Sequence, residues 1–334
     1  MPDVTTRGPA VTAASLPLRA DSFVPHVLHA TERSWTETNC YVDVWIEVLH
    51  ALGLDPVAAS AFTLSCDFEG DQWTFFKYPP EDLRALYGLD VAEMNVWRPV
   101  VDHVEEQLAM GRLCTVEVDA VHLPDTVGVS YGMHHVKTTI VPSRLDRAGR
   151  RLGYFHNAGY FEVEGDDFDG VFRLGAHEDA TALPPYMERI RLERIRRDDP
   201  DQVDRVLALT RDHLDRRPSD NPVLRMGDRL RADLPWLATQ DLEVFHLYAF
   251  GLCRQCGAST ELAATFVEWL NAHDGPGTGS AADALREVAE GAKRLQFAMA
   301  RVARGRTVDI DGIVDDMAAG WDHAMGVLET RYGG

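Results

Sequence analysis

The sequence predicts an α+β fold in two parts: a first half built on an antiparallel sheet and a second half that is almost wholly helical. Three observations carry this. Apolar residues recur at helical spacing directly after Cys40. Between residues 113 and 163 the period switches to two. From about residue 185 onward, helical patterns separated by Pro- or Gly-bearing breaks follow one another. The expected division is a loosely ordered leader over 1–34, a sheet-bearing domain over 35–180 and a helical domain over 181–334, with the junction inside GAHEDATALPP (175–185).

In the first half, Tyr41, Val44, Trp45, Val48, Leu49 and Leu52 share one helix face, and Gly53 stops the helix. PPEDLRALYGL (79–89) starts a second helix, with Pro at its first turn and acids just behind it. A third runs from Arg98 to Met110, closed by Gly111. LCTVEVDAV (113–121), HHVKTTIVPS (134–143) and RLGYFHNAGYFEV (151–163) alternate as strands, and RLDRAGR (144–150) reads as a hairpin turn. The second half shows helical patterns near 186–197, 201–216, 236–251, 258–273, 281–304 and 311–330.

Bulk properties exclude several classes. The 334 residues are 45% hydrophobic and 26% charged, ordinary for a globular chain. A formal charge of −20 repels phosphates and anionic lipid, so neither nucleic acid nor membrane is an expected partner. No apolar stretch approaches the ~18 residues of a membrane span, and the N-terminus lacks a signal-peptide pattern. Five scattered cysteines without an export signal read as reduced thiols in the cytoplasm.

Cys40 falls where the first helix begins. Unpaired N–H groups and the positive end of the dipole favour a thiolate there. The Cys40 N–H can also face an oxyanion, and Thr38 or Asn39 can cap the helix. Taken alone, a cysteine in a first turn is more often core. His134 and His135 open a strand and point to opposite faces. His135, in phase with Lys137 and Thr139, is the preferred base, with His134 a substrate contact. Asn157 is expected on the following strand, where its amide would fix the histidine tautomer. His156 competes for a site role, but alternation turns it away. Cysteine on a helix, then histidine on a strand, then Asn on the next strand is the chain order of papain-like enzymes, so the predicted triad is Cys40, His135 and Asn157.

The residues VEVDAVHLPDTVGVSYGMHHVKTTIV and LGYFHNAGYFEVEGDDF, within 116–168, resemble the N-terminal domain of the butirosin-pathway acyltransferase family. The matching positions are Val118, Asp119, Leu123 and Pro124, then His135, then Asn157. NCYVDVWIEVLHALGLDP and the aromatic segment after it resemble the same family's Cys-led helix. Over roughly 35–330, including RQCGASTELAATFVEWL (254–270), the chain also resembles a bacterial family often encoded beside amino-acid:carrier-protein ligases. The resemblance implies a papain-like acyltransferase. An aminoacyl or peptidyl group would pass from a carrier-protein phosphopantetheine thioester to Cys40, then to an amine or hydroxyl on a small-molecule or peptide acceptor. Phosphopantetheine would arrive on that partner, so no resident cofactor is expected. Asn157 departs from the Asp of the butirosin type, which loosens the match there, although papain-like enzymes use Asn in that role. Asn39 and Asp119 are expected at the substrate, Asp119 facing an ammonium group or serving as an ordinary strand-end carboxylate.

Cys253-Arg-Gln-Cys256 is a CxxC between helical flanks, without the strand a redox motif requires or two further zinc ligands nearby. It reads as packing, with Arg254 and Gln255 as candidate substrate contacts. YMERIRLERIRR (186–197) reads as a basic helix. Arg191, Arg194 and Arg197 would dock an acidic carrier protein, or simply form a solvated face with pairs such as Glu193–Arg197. His122, His134, His135 and Cys114 scatter over both strand faces, so no metal is expected. The competing functions are a cysteine hydrolase of the same fold (peptidase, amidase or thioesterase) and a non-catalytic carrier-binding protein.

Overall fold

The computed structural model describes residues 13–14, 16–179 and 181–334. The leader expected over 1–34 lies partly outside these residues. In chain order the main elements are β1 (Ala13–Ala14), α1 (Cys40–Ala51), α2 (Pro80–Tyr87), β2 (Asp90–Glu93), α3 (Val100–Ala109), β3 (Leu113–Asp119), β4 (Lys137–Asp146), β5 (Arg151–His156), β6 (Gly159–Glu164), α4 (Asp166–Phe172) and β7 (Met187–Arg191). Helices α5 (Gln202–Asp215), α6 (Pro222–Leu237), α7 (Leu242–Ala249), α8 (Gln255–His273), α9 (Gly279–Val302) and α10 (Asp311–Tyr332) follow. No helix among the described residues is long and apolar enough to cross a membrane.

The chain divides into two compact units. The first comprises the residues up to Val27, Cys40–Leu54 and Leu83–Arg197; the second comprises Leu28–Asn39, Asp55–Asp82 and Asp198–Gly334. The strand content of 181–197, assigned to the helical part from sequence, therefore belongs with the sheet. Two early segments fold with the helices instead.

The first unit is an antiparallel sheet of order β2-β7-β3-β4-β5-β6, with β1 beside the far end of β4. β4 is buried on both faces from Thr138 to Ser143, so the sheet is covered on both sides. Pro142 sits inside this central strand, and the register slips between Pro142 and Arg144. A residue with no N–H to give the ladder is accommodated by a bulge. α1 packs on β4, β5 and β6, and every residue from Tyr41 to Leu49 is buried. A helix buried all round needs partners for its charges. Glu47 has one in the His26 N–H, at 3.0 and 3.2 Å from its two carboxylate oxygens.

The expected basic helix over 186–197 is instead strand β7, which pairs antiparallel with both β2 and β3. Met187 and Ile190 are fully buried there, and tertiary pairing has overridden helical spacing. The arginines of this strand and of the turn after it bond back to their own unit. Arg191 pairs with Asp90 at 3.6 Å, Arg196 donates to the Arg84 and Ala85 carbonyls, and Arg197 donates to the Leu52 carbonyl at 2.7 Å. Arg191, Arg194 and Arg197 do not form one helical face.

In the second unit, α8, α9 and α10 pack in succession, with α6 and α5 against α10. α6 fell between the two helical patterns on either side of it; Pro235 stands inside it two residues before its end, where the missing N–H removes one i→i−4 bond. A π-turn over Phe250–Arg254 carries the chain from α7 into α8. Segment 28–39 is laid on these helices. The Glu261 carboxylate accepts from the Ser34 and Trp35 N–H groups, both at 2.9 Å, and the Trp35 indole N–H donates to the Ala289 carbonyl at 3.1 Å.

Candidate active site

Cys40 is the first residue of α1 and is half-buried, whereas Cys66, Cys114, Cys253 and Cys256 are all buried. Burial pushes the Cys66, Cys114 and Cys253 thiols up to about 12. It also raises Cys256 well above the ordinary value, with Cys253 and Cys66 adding to the effect. The Cys40 sulfur lies 3.9 Å from the Thr139 hydroxyl of β4.

Thr139 faces Glu117 across the β3–β4 ladder, and Asp119 faces Lys137 one step along. Paired residues and those two apart share a face. Cys40, Thr139, Glu117, Lys137 and Asp119 therefore gather on one side of the sheet. The Lys137 ammonium bridges to Glu117 at 2.7 Å. Along β4, the level of Thr139 is about 6.8 Å from that of Asp119.

Asp119 is the hub. Its carboxylate accepts from the Val121 N–H at 3.1 Å and the Val136 N–H at 3.2 Å, and it meets His135 Nδ1 at 2.6 Å. Partial burial works against its charge. The hydrogen bonds from His135, Val121 and Val136 outweigh that, leaving Asp119 below the usual carboxylate range. With Nδ1 held by the carboxylate, Nε2 of His135 is the nitrogen turned to other work. The His135 side chain is 83% exposed, so an incoming group reaches it directly. His134 is also exposed; its backbone N–H bonds to the Ser130 carbonyl, and it does not share the Asp119 contact.

Asn157 is not on a strand. It occupies the β5–β6 turn with φ +43°, a left-handed conformation that Asn tolerates. The residue holding His135 is Asp119. The run His-Asn-Ala-Gly carried a turn signal that the strand reading passed over.

Two further relays have a catalytic look but a packing role. On the opposite face of the sheet, His156 bridges the Thr138 hydroxyl (2.8 Å) and Asp125 (2.6 Å), and the Tyr154 hydroxyl donates to the same carboxylate at 2.5 Å. His156 is 1% exposed. This chain ties the turn at Pro124–Thr126, which lies between Asp119 and His135, to the sheet. In the helical unit, His213 bridges Ser65 (2.8 Å) and Asp82 (2.7 Å). His213 and Asp82 are buried, and the Ser65 hydroxyl also lies 3.0 Å from the Phe62 carbonyl as a donor to it. His156 is weighed for a site role from sequence, but the partners of neither relay are legible there, because each set spans distant segments. The same is true of buried Glu188, which accepts from the hydroxyls of Tyr41 (2.7 Å), Thr115 (3.1 Å) and Tyr186 (2.9 Å).

Arg254 and Gln255 act on the residues just before Cys40. Arg254 donates to the Thr38 carbonyl at 2.9 Å, and the Asn39 amide donates to Gln255 Oε1 at 3.3 Å and the Phe76 carbonyl at 3.1 Å. Asn39 is buried, at 2% exposure, so its amide serves this anchorage. Cys114 is buried within β3, and His122 stacks edge-on to His177 with ring centroids 4.9 Å apart. Among the described residues, no three His, Cys, Asp or Glu side chains form a metal-holding group.

Residues 24–192 match the DUF1839 N-terminal domain and residues 199–330 the DUF1839 C-terminal domain, and the chain belongs to that family. No curated protein matches it.

Proposed function

We propose that this member of the DUF1839 family is a cysteine acyltransferase working through Cys40, His135 and Asp119. One observation carries the reading: the single half-buried thiol begins a helix on the sheet face that also bears a histidine held at Nδ1 by a carboxylate. In the first step His135 Nε2 takes the Cys40 proton. The thiolate attacks the carbonyl carbon of a carrier-protein thioester, with the α1 N-terminus facing the oxyanion. The new C–S bond forms as the old one breaks, and the departing pantetheine thiolate takes the proton from His135. In the second step an amine or hydroxyl acceptor attacks the acyl-Cys40 carbonyl, its proton passes to His135, and the Cys40 thiolate is released. Asp119 positions the ring and stabilises its imidazolium form.

The carrier-protein donor and a papain-like identity for the domain rest on the resemblance to butirosin-pathway acyltransferases. The Cys40 chemistry rests on the geometry. The test is intact mass spectrometry after incubation with an aminoacyl carrier protein. An adduct on Cys40 that is missing in Cys40→Ala supports the scheme; its absence on the native protein overturns it. Adduct that then decays in buffer at the same rate with or without amines reassigns the protein as a hydrolase.

A further inference from the structure

Thr139 differs from the other buried threonines in where its hydroxyl goes. Thr63, Thr210 and Thr260 donate to carbonyls three or four residues earlier, and Thr115 donates to Glu188. Thr139 is equally buried, at 4% exposure. Its hydroxyl meets neither a carbonyl nor a carboxylate among the described residues. The side-chain partner it has is the Cys40 sulfur, 3.9 Å away.

Alternation brings it there. Thr138 and Thr139 are neighbours on β4, so their side chains leave the sheet on opposite faces. Thr138 meets the His156 ring at 2.8 Å beneath the sheet. Thr139 stands on the other face, against the first residue of α1, which packs on β4. The strand asks only for a β-branched side chain at this position, and valine has the same shape. A buried hydroxyl without an acceptor costs free energy that valine would not incur. The oxygen is therefore matched to the sulfur, and a thiolate, being charged, is the acceptor that satisfies its O–H best.

The ionic groups of this face are engaged elsewhere. Glu117 is neutralised by Lys137 at 2.7 Å, and Asp119 holds His135 Nδ1 at 2.6 Å. Thr139 supplies a neutral donor at the sulfur itself.

We infer that Thr139 is a further catalytic residue, whose hydroxyl donates to the Cys40 thiolate. In the resting thiol the S–H points to the Thr139 oxygen. Once that proton passes to His135, the hydroxyl turns and gives its own hydrogen to the sulfur. No covalent bond of Thr139 changes. The hydrogen bond is lost while an acyl group occupies the sulfur and returns when the acceptor releases the thiolate. One hydroxyl thus eases both attack and departure. The inference rests on Cys40 as the reactive thiol of the proposed function, but its test does not need acyl transfer.

The test is thiol–disulfide exchange of the full-length native, Thr139→Val and Thr139→Ser proteins with an aromatic disulfide at neutral pH, with Cys40→Ala as background. Losing one hydrogen bond to a charged group lowers the thiolate population about tenfold, and the more basic thiolate regains about two- to threefold in intrinsic reactivity. Thr139→Val is therefore expected to react about three- to fivefold more slowly than native protein. Thr139→Ser keeps the hydroxyl and should stay within about twofold of native. Thr139→Ala repeats the loss with less bulk, should valine disturb the fold. Removal of the hydroxyl without slowing overturns the inference. So does a Thr139→Ser protein as slow as Thr139→Val, because the methyl group would then set the rate. Native-rate exchange in Thr139→Val with acyl-Cys40 still forming removes only the role of Thr139; slowed exchange in a protein that never forms acyl-Cys40 removes only the transfer reading.

Discussion

Alkylation of native protein should modify one cysteine of the five, and that one should be Cys40. The buried thiols of Cys66, Cys114 and Cys253 are pushed up to about 12. Near pH 8 such a thiol is thiolate only about one part in ten thousand of the time. Access lowers its reactivity further, because a buried sulfur meets reagent only through opening of the fold, populated at about 10⁻³ or less. The assay is limiting iodoacetamide followed by intact mass and peptide mapping. One adduct on Cys40 is expected, none in Cys40→Ala, and five on the native sequence after denaturation. Native-state labelling of Cys66, Cys114, Cys253 or Cys256 at a rate comparable to Cys40 would refute the burial argument. An unlabelled Cys40 would refute the claim that its thiol is reachable.

Asp119→Asn should cut the rate of Cys40 acylation by about 10²–10⁴, the cost of losing a carboxylate that orients a catalytic histidine. A positioning role also requires the pH–rate profile to move, which simple destabilisation would not cause. Because the folded-state pKa of Asp119 is depressed, its contribution to stability is present above the ordinary carboxylate value of ~3.9 and is lost as pH falls through the folded value. Urea unfolding of native and Asp119→Asn protein should therefore differ at neutral pH and converge in acid. A gap that widens in acid would contradict the sign. Gly257→Ala puts a Cβ 2.3 Å from the Trp35 ring, against backbone whose position the Glu261 carboxylate also fixes. Overpacking of this kind costs about 1–3 kcal/mol, read as a lower urea midpoint; an unchanged midpoint would show that segment 28–39 yields freely.

Much of this architecture is legible from local pattern. The α1 periodicity places a helix from Cys40 onward because six apolar residues share one face, and the helix begins at that residue. The alternation of 113–121 yields β3, since a period of two admits little else. Local pattern failed where two codes compete. Residues 186–197 carry helical spacing and strong helix formers, yet Met187 and Ile190 also satisfy a strand, and only the open edge between β2 and β3 chooses between them. Asn157 has the reverse history: a polar residue in an alternating run looks functional until the hairpin closes and shows it supplying a positive φ.

By itself the sequence determined the α+β class and the start of the cysteine helix, both set by periodicity; its preference for His135 over His134 came from the strand face shared with Lys137 and Thr139. Tertiary structure alone decided which acid serves that histidine. Asp119 and His135 are sixteen positions apart. They meet because the 120–136 excursion returns to the end of β3, tied beneath the sheet by His156 and Asp125. A hydrogen bond 2.6 Å long between such residues depends on where a loop ends in space, and neither residue's local neighbours encode that.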